Sequence, residues 1–201
     1  MNRRLGVLIS GRGSNLQSLI DAIRSGRLNA TIAVVISNVE DAGGLERARA
    51  AGIESLVVSH RGWSSRDEYD RALARELKAR DVGLVCLAGF MRIVGSPLIE
   101  AYPNAILNVH PALLPSFPGV DAQRQALDHG VMVSGVTVHL VTGELDAGPI
   151  VLQRAVEVLE DDTRETLSAR ILEQEHLAYP EAVSGVLDGG WKVEGRRFVR
   201  L

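Results

Sequence analysis

Asn108 and His110 stand two residues apart in Asn108-Val109-His110-Pro111, directly after the apolar run Ala105-Ile106-Leu107. In a β-strand, residues i and i+2 share a face. Pro111 biases His110 towards extended backbone and blocks a helical continuation. An amide and an imidazole therefore project together from the end of a buried strand. That pair suits stabilising an oxyanion and moving a proton. A third group is wanted to orient the imidazole. Asp146 lies between Gly143 and Gly148 in a loop joining two strand-like runs. A turn aspartate commonly caps its own backbone. If this loop reaches His110, its carboxylate would stabilise the imidazolium and raise its pKa. His139, on the strand-like run 133–141, fits the wall of such a site and a structural role equally well.

Other residues could bind rather than react. Gly11-Arg12-Gly13-Ser14-Asn15 joins a first strand to a first helix. Free backbone N–H groups and the helix dipole there suit a phosphate. Leu16 occupies the position where the dinucleotide fingerprint needs a third glycine, which favours a monophosphate. The bland alternative is a tight turn with Ser14 as a helix cap. On the last helix, Ile171, Leu172, Ala178, Tyr179 and Ala182 form an apolar stripe, and Glu175 falls inside it. A carboxylate there is costly unless paired, so it meets an arginine or a ligand group. Glu173 and His176 lie off the stripe and are expected to be solvated. Arg92, in Phe90-Met91-Arg92-Ile93-Val94, either snorkels to solvent or marks the rim of a cleft.

These groups need a scaffold. Residues 5–10, 30–37, 54–59 and 83–88 read as strands, with 14–25, 42–51 and 66–80 as helices between them. Such alternation predicts βαβ units and a parallel sheet. Ser65 and Glu68 form a capping box, with Arg66 in the first turn of the third helix. After His110 the pattern changes. Residues 133–141 and 150–159 are β-rich with no helix-length segment between them, so they are expected to pair antiparallel. A long helix follows over about 163–187, capped by Asp162 or Thr163, and Pro180 is expected to kink or divide it. Residues 191–199 read as a final short strand. The fold class is α/β, with a parallel Rossmann-like N-terminal part continuing into a mixed sheet. One domain is expected, with parts at about 1–103 and 104–201.

Bulk composition narrows the classes. A chain of 201 residues buries roughly 70% of its unfolded surface and needs no disulfide or metal to fold. The single cysteine, Cys86, sits in an apolar run and is expected to be a buried thiol. The net charge of -3, without blocks of like charge, gives no support for nucleic-acid binding. The longest apolar stretch, 82–91, is too short to span a bilayer, and the N-terminus lacks a signal-peptide core. A cytoplasmic enzyme is the default.

Taken in order, the segments resemble the folate-dependent phosphoribosylglycinamide formyltransferases of purine biosynthesis. The resemblance rests on Ile9-Ser10-Gly11-Arg12-Gly13-Ser14-Asn15, Leu87-Ala88-Gly89-Phe90-Met91-Arg92-Ile93, Asn108-Val109-His110-Pro111-Ala112-Leu113-Leu114-Pro115, residues 135–149 and Gln174-Glu175-His176. It is inexact at Ala112, Pro118 and Leu172. It implies a formyltransferase-like fold and formyl transfer from 10-formyltetrahydrofolate to the amine of phosphoribosyl-glycinamide, without a covalent enzyme adduct or a metal. It further implies that Asn108, His110 and Asp146 are catalytic. Gly13, Ser14, Asn15 and Glu175 would bind the phosphorylated substrate. Arg66, Met91, Arg92, Ile93, Val94 and Asn108 would line the folate site. The partners would be these two small molecules, with no nucleic acid or membrane, and the chain a monomer or weak homodimer. Two related activities are expected to need more chain: methionyl-tRNA formyl transfer a C-terminal tRNA domain, and formyltetrahydrofolate hydrolysis an N-terminal regulatory domain. A non-catalytic nucleotide-binding module would explain the glycine loop but not the Asn108, His110 and Asp146 grouping.

Overall fold

Uninterrupted apolar runs, rather than alternating ones, build the strands of the first half, as expected where both faces of a parallel sheet are covered. The computed structural model describes residues 2–201. The chain forms two compact units, 1–107 and 108–201. In the first, β1 (Arg4–Ile9) pairs parallel with β2 (Thr31–Ser37) and with β4 (Leu84–Leu87), and β2 pairs parallel with β3 (Ser55–Val57). The intervening helices are α1 (Ser14–Arg24), α2 (Gly43–Ala50) and α3 (Arg66–Lys78). A short α4 (Ser96–Ala101) precedes β5 (Ile106–His110). The strand order in this unit is β3-β2-β1-β4-β5. Cys86 is fully buried in β4, as its apolar run predicts.

The second unit begins inside β5. It contains α5 (Ala122–Asp128), β6 (Val133–Leu140), β7 (Ile150–Glu157) and α6 (Arg164–Asp188), then β8 (Trp191–Glu194) and β9 (Arg197–Arg200). Strand order runs β5-β6-β7-β9-β8. The β6–β7 pair is antiparallel, as is β8–β9, whereas β7 meets β9 parallel. Ala126, Val156, Leu167 and Ile171 form a buried cluster here, with Phe117, Leu127 and Val131 packed against it.

Two sequence expectations need correction. Pro180 does not divide α6, which runs unbroken for 25 residues. Ile171, Ala178, Tyr179, Ala182, Val183 and Val186 are buried on both sides of the proline. That packing outweighs one missing backbone hydrogen bond. Residues 191–199 are not one strand but a hairpin, turned at Gly195 and closed by Trp191 stacking on Phe198. The short helices α4 and α5 were not visible as periodic patterns, because six and seven residues carry too few turns. Of the two cap candidates for α6, Thr163 holds the position: its side chain accepts the Thr166 N–H, and Thr166 reciprocates.

Candidate active site

The end of β5 presents Asn108 and His110 as the strand period requires. His110 is only 4% exposed. Its Nε2 lies 2.8 Å from the Phe117 carbonyl. A carbonyl only accepts, so Nε2 carries a proton. The other ring nitrogen, Nδ1, lies 3.4 Å from Asp146 Oδ2. The 142–149 loop therefore does bring Asp146 to His110. Asp146 adopts a left-handed backbone with φ 50°, a conformation aspartate tolerates better than most residues. Its Oδ2 also accepts the Gly119 N–H at 2.8 Å.

His139 completes the group and is the residue that sequence reasoning left undecided. Its Nδ1 donates to the Leu140 carbonyl at 3.0 Å. Its Nε2 then accepts from the Asn108 amide nitrogen at 3.2 Å. The same Nε2 is 3.6 Å from Asp146 Oδ1. Both distances to Asp146 are longer than an ordinary hydrogen bond. His139 thereby fixes which end of the Asn108 amide is the nitrogen. One N–H points at His139 and the other remains to donate.

Electrostatics at this cluster oppose one another. Burial pushes His110 below its ordinary range; the Phe117 carbonyl and the Asp146 charge pull it back up, and His139 pushes it down again. Burial would raise Asp146, but contact with His139, the Gly119 N–H and the charge of His110 outweigh it, and the carboxyl lies below its ordinary range. The Asp146 carboxyl is thus placed beside the His110 ring, where it can stabilise an imidazolium when one forms.

Behind this group, the loop after Pro111 is stapled down. The Thr137 hydroxyl donates to the Ala112 carbonyl at 2.7 Å and accepts the Leu114 N–H at 3.0 Å. Gln153 Nε2 donates to the Leu114 carbonyl and to Thr137 Oγ1, each at 2.9 Å. Further along, Phe117 packs its ring on the buried cluster under α6, which aims its carbonyl at His110. These backbone groups carry no sequence signature. Glu175 sits on the buried face of α6, 7% exposed, as its place in the stripe predicts. His176 is half-buried rather than solvated.

In the first unit, the glycine loop enters α1 with Gly13 at the N-cap, φ 71°, and without a side-chain cap. Ser14 is thus the first helical residue and not the cap. A methyl group on Gly13 would lie 2.5 Å from the Gly44 Cα, so the starts of α1 and α2 pack backbone to backbone. Gly44 N–H donates to the Gly11 carbonyl at 3.0 Å. Arg47 Nε donates to the Arg12 carbonyl at 2.8 Å. Asn15 is buried and Ser14 half-buried.

Residues 91–94 follow β4. Met91 is 73% exposed and Ile93 49%, whereas Val94 is buried. Arg66 is exposed at the first position of α3, where Ser65 accepts the Glu68 N–H. Arg92 lies over the Tyr69 ring, 5.4 Å from its centroid, which neither snorkelling nor a bare rim position anticipates. Among the described residues, no group of three or more His, Cys, Asp or Glu is arranged to hold a metal ion. Nor is any helix long and apolar enough to cross a membrane.

Residues 3–183 match the family described as formyl transferase. The chain belongs to the formyl transferase family. Within it, the chain is 45% identical over 187 residues to phosphoribosylglycinamide formyltransferase of Escherichia coli, covering 93% of this chain and 88% of that one. Glycinamide ribonucleotide transformylase 1 of Symbiobacterium toebii shares its fold with a TM-score of 0.98 at 55% identity, over 100% of this chain and 94% of that one. The chain also spans 14% of the Drosophila melanogaster trifunctional purine biosynthetic protein adenosine-3, at 47% identity over 189 residues. It is an enzyme of this formyltransferase family, with the mixed α/β sheet and antiparallel C-terminal strands of its relatives.

Proposed function

We propose that the protein transfers the formyl group of 10-formyltetrahydrofolate to the amine of phosphoribosyl-glycinamide, in the cytoplasm, as a step of purine biosynthesis. The observation that carries this reading is the grouping of Asn108, His110, Asp146 and His139, with both histidines buried, in a chain of the formyl transferase family. The amine nitrogen of the acceptor attacks the formyl carbon and gives a tetrahedral oxyanion. Asn108 donates its remaining N–H to that oxygen. His110 gains a second proton as the amine loses one, and the resulting imidazolium faces Asp146. Collapse breaks the bond from the formyl carbon to N10 of the folate. His110 returns the proton to that nitrogen, leaving formylated product and tetrahydrofolate. The nucleophile is the substrate amine, so no covalent enzyme adduct is required.

Binding roles follow the family resemblance. Gly13, Ser14 and Asn15 hold the substrate phosphate, supported by the uncapped α1 N-terminus. Glu175 contacts the glycinamide part. Arg66, Met91, Arg92, Ile93, Val94 and Asn108 line the folate site, supported by the outward Met91 and Ile93 side chains. An absorbance assay with a 10-formyl-folate donor tests the reaction, comparing phosphoribosyl-glycinamide with water as acceptor. Turnover that needs the amine is expected. Equal turnover in water alone would make the enzyme a hydrolase.

A further inference from the structure

Asp70 is a buried carboxylate that the reaction above does not use. It is 2% exposed and sits on α3 among Leu73, Ala74 and Leu77, on the apolar face of that helix. A carboxylate placed there is costly unless something holds it. Its Oδ2 accepts the Gly95 N–H at 2.7 Å. The charges of Arg66 and Arg92 also act on it, in opposition to its burial. Arg66 and Arg92 are both assigned to the folate site, and Gly95 ends the segment that begins at Met91.

The segment is pinned at both ends. At its start, the Met91 N–H donates to Ser10 Oγ at 2.8 Å. Ser10 in turn donates to Asn38 Oδ1 at 2.5 Å. At its finish, Gly95 makes the bond to Asp70. The fit at Gly95 is close: a methyl group there would lie 2.7 Å from Asp70 Oδ2 and 3.5 Å from Arg66 Cδ. Between the pins, Met91 and Ile93 are held outward, although large apolar side chains ordinarily turn inward. Holding them out in a fixed backbone makes a prepared binding wall, since little ordering cost remains on binding.

We propose that Asp70 is a positioning residue for the formyl-folate donor, setting the backbone of residues 91–95 through its bond to Gly95. This rests on the reading of residues 91–94 as part of the folate site. It assigns Asp70 no contact with the phosphorylated acceptor and no step in the chemistry.

The test measures kcat and the KM of each substrate separately. Asp70→Ala loses a charge-assisted hydrogen bond, so the KM for 10-formyltetrahydrofolate is expected to rise about tenfold or more. The KM for phosphoribosyl-glycinamide is expected to stay at its wild-type value. Asp70→Asn keeps an oxygen that accepts the Gly95 N–H and is expected to restore most of the donor binding. Gly95→Ala displaces Asp70 without emptying the core, and the same donor-only defect is expected. An unchanged donor KM in folded Asp70→Ala and Gly95→Ala overturns the proposal. So does a parallel rise for both substrates, or an Asp70→Asn variant as defective as Asp70→Ala. Ile93→Asp separates the two readings, because it alters the exposed wall and leaves Asp70 in place. If Ile93→Asp raises the donor KM and Asp70→Ala does not, only the Asp70 proposal falls. If Ile93→Asp leaves the donor KM unchanged, the folate reading of the segment falls and takes the proposal with it.

Discussion

Asp146 and Asp162 are two carboxylates of the second unit, and both lie below the ordinary carboxylate range. Their surroundings differ in kind. Arg170 grips Asp162 with two parallel bonds, at 2.7 and 2.9 Å. The Leu159 N–H and the Thr166 hydroxyl add one bond each, both at 2.8 Å. Every one of those donors keeps its proton at any physiological pH. Asp146 instead faces two histidines, at 3.4 and 3.6 Å, and one backbone N–H. Its side-chain partners are imidazoles, the side-chain type used for proton exchange, and not permanent cations. A carboxylate clamped by a permanent cation ties the loop after β7 to α6. A carboxylate beside titratable rings leaves the proton free to move.

The largest expected effect separates the two by activity. Asp146→Asn and His110→Ala should each lower kcat by about two to three orders of magnitude. Asp162→Ala should leave kcat near wild type. Near-normal turnover in both Asp146→Asn and His110→Ala would remove the catalytic half of the comparison.

Stability should sort them the other way. Asp162→Ala is expected to cost about 1–2 kcal/mol, a drop of several degrees in Tm by calorimetry at pH 7. The sign with pH follows from the lowered carboxyl of Asp162. Its contribution is complete above the unfolded carboxylate range near pH ~4 and fades as the pH falls through the folded value. The Tm gap between wild type and Asp162→Ala should therefore shrink in acid. A gap that widened below that pH would contradict the assignment.

A smaller effect tests the titratable partner directly. Asp146 pulls His110 upward against its burial. In Asp146→Asn that pull is gone, so the His110 ring should titrate lower still, as followed by its carbon-bound protons in NMR. In Asp162→Ala the same resonance should titrate as in wild type. An unmoved or raised value in Asp146→Asn would show that charge does not couple the pair.

Much of this arrangement could be read in the chain. The face shared by Asn108 and His110 follows from a period of two, and the buried place of Glu175 from a period of 3.6. Asp70 obeys the same rule, since it shares a stripe with Leu73 and Leu77. The remainder depends on backbone groups and on tertiary packing. No side-chain pattern announces that the Phe117 carbonyl and the Gly119 N–H will face His110 and Asp146. His139 could not be ranked above a structural histidine until Asn108 was placed beside it. Pro180 does not end α6, because the rule for an isolated helix omits the packing on either side of the proline.

The Thr137 hydroxyl, saturated by Ala112, Leu114 and Gln153, has a consequence for motion. Leu114 lies outside every helix and strand, so its amide would ordinarily trade its hydrogen for solvent deuterium quickly. Buried and bonded to a side chain of β6, it can exchange only when that contact opens. Leu114 should therefore be protected to the degree of a strand amide. Its exchange rate would then report how often the loop behind His110 lifts away, a clock for local opening that the flanking prolines, lacking amides, cannot supply.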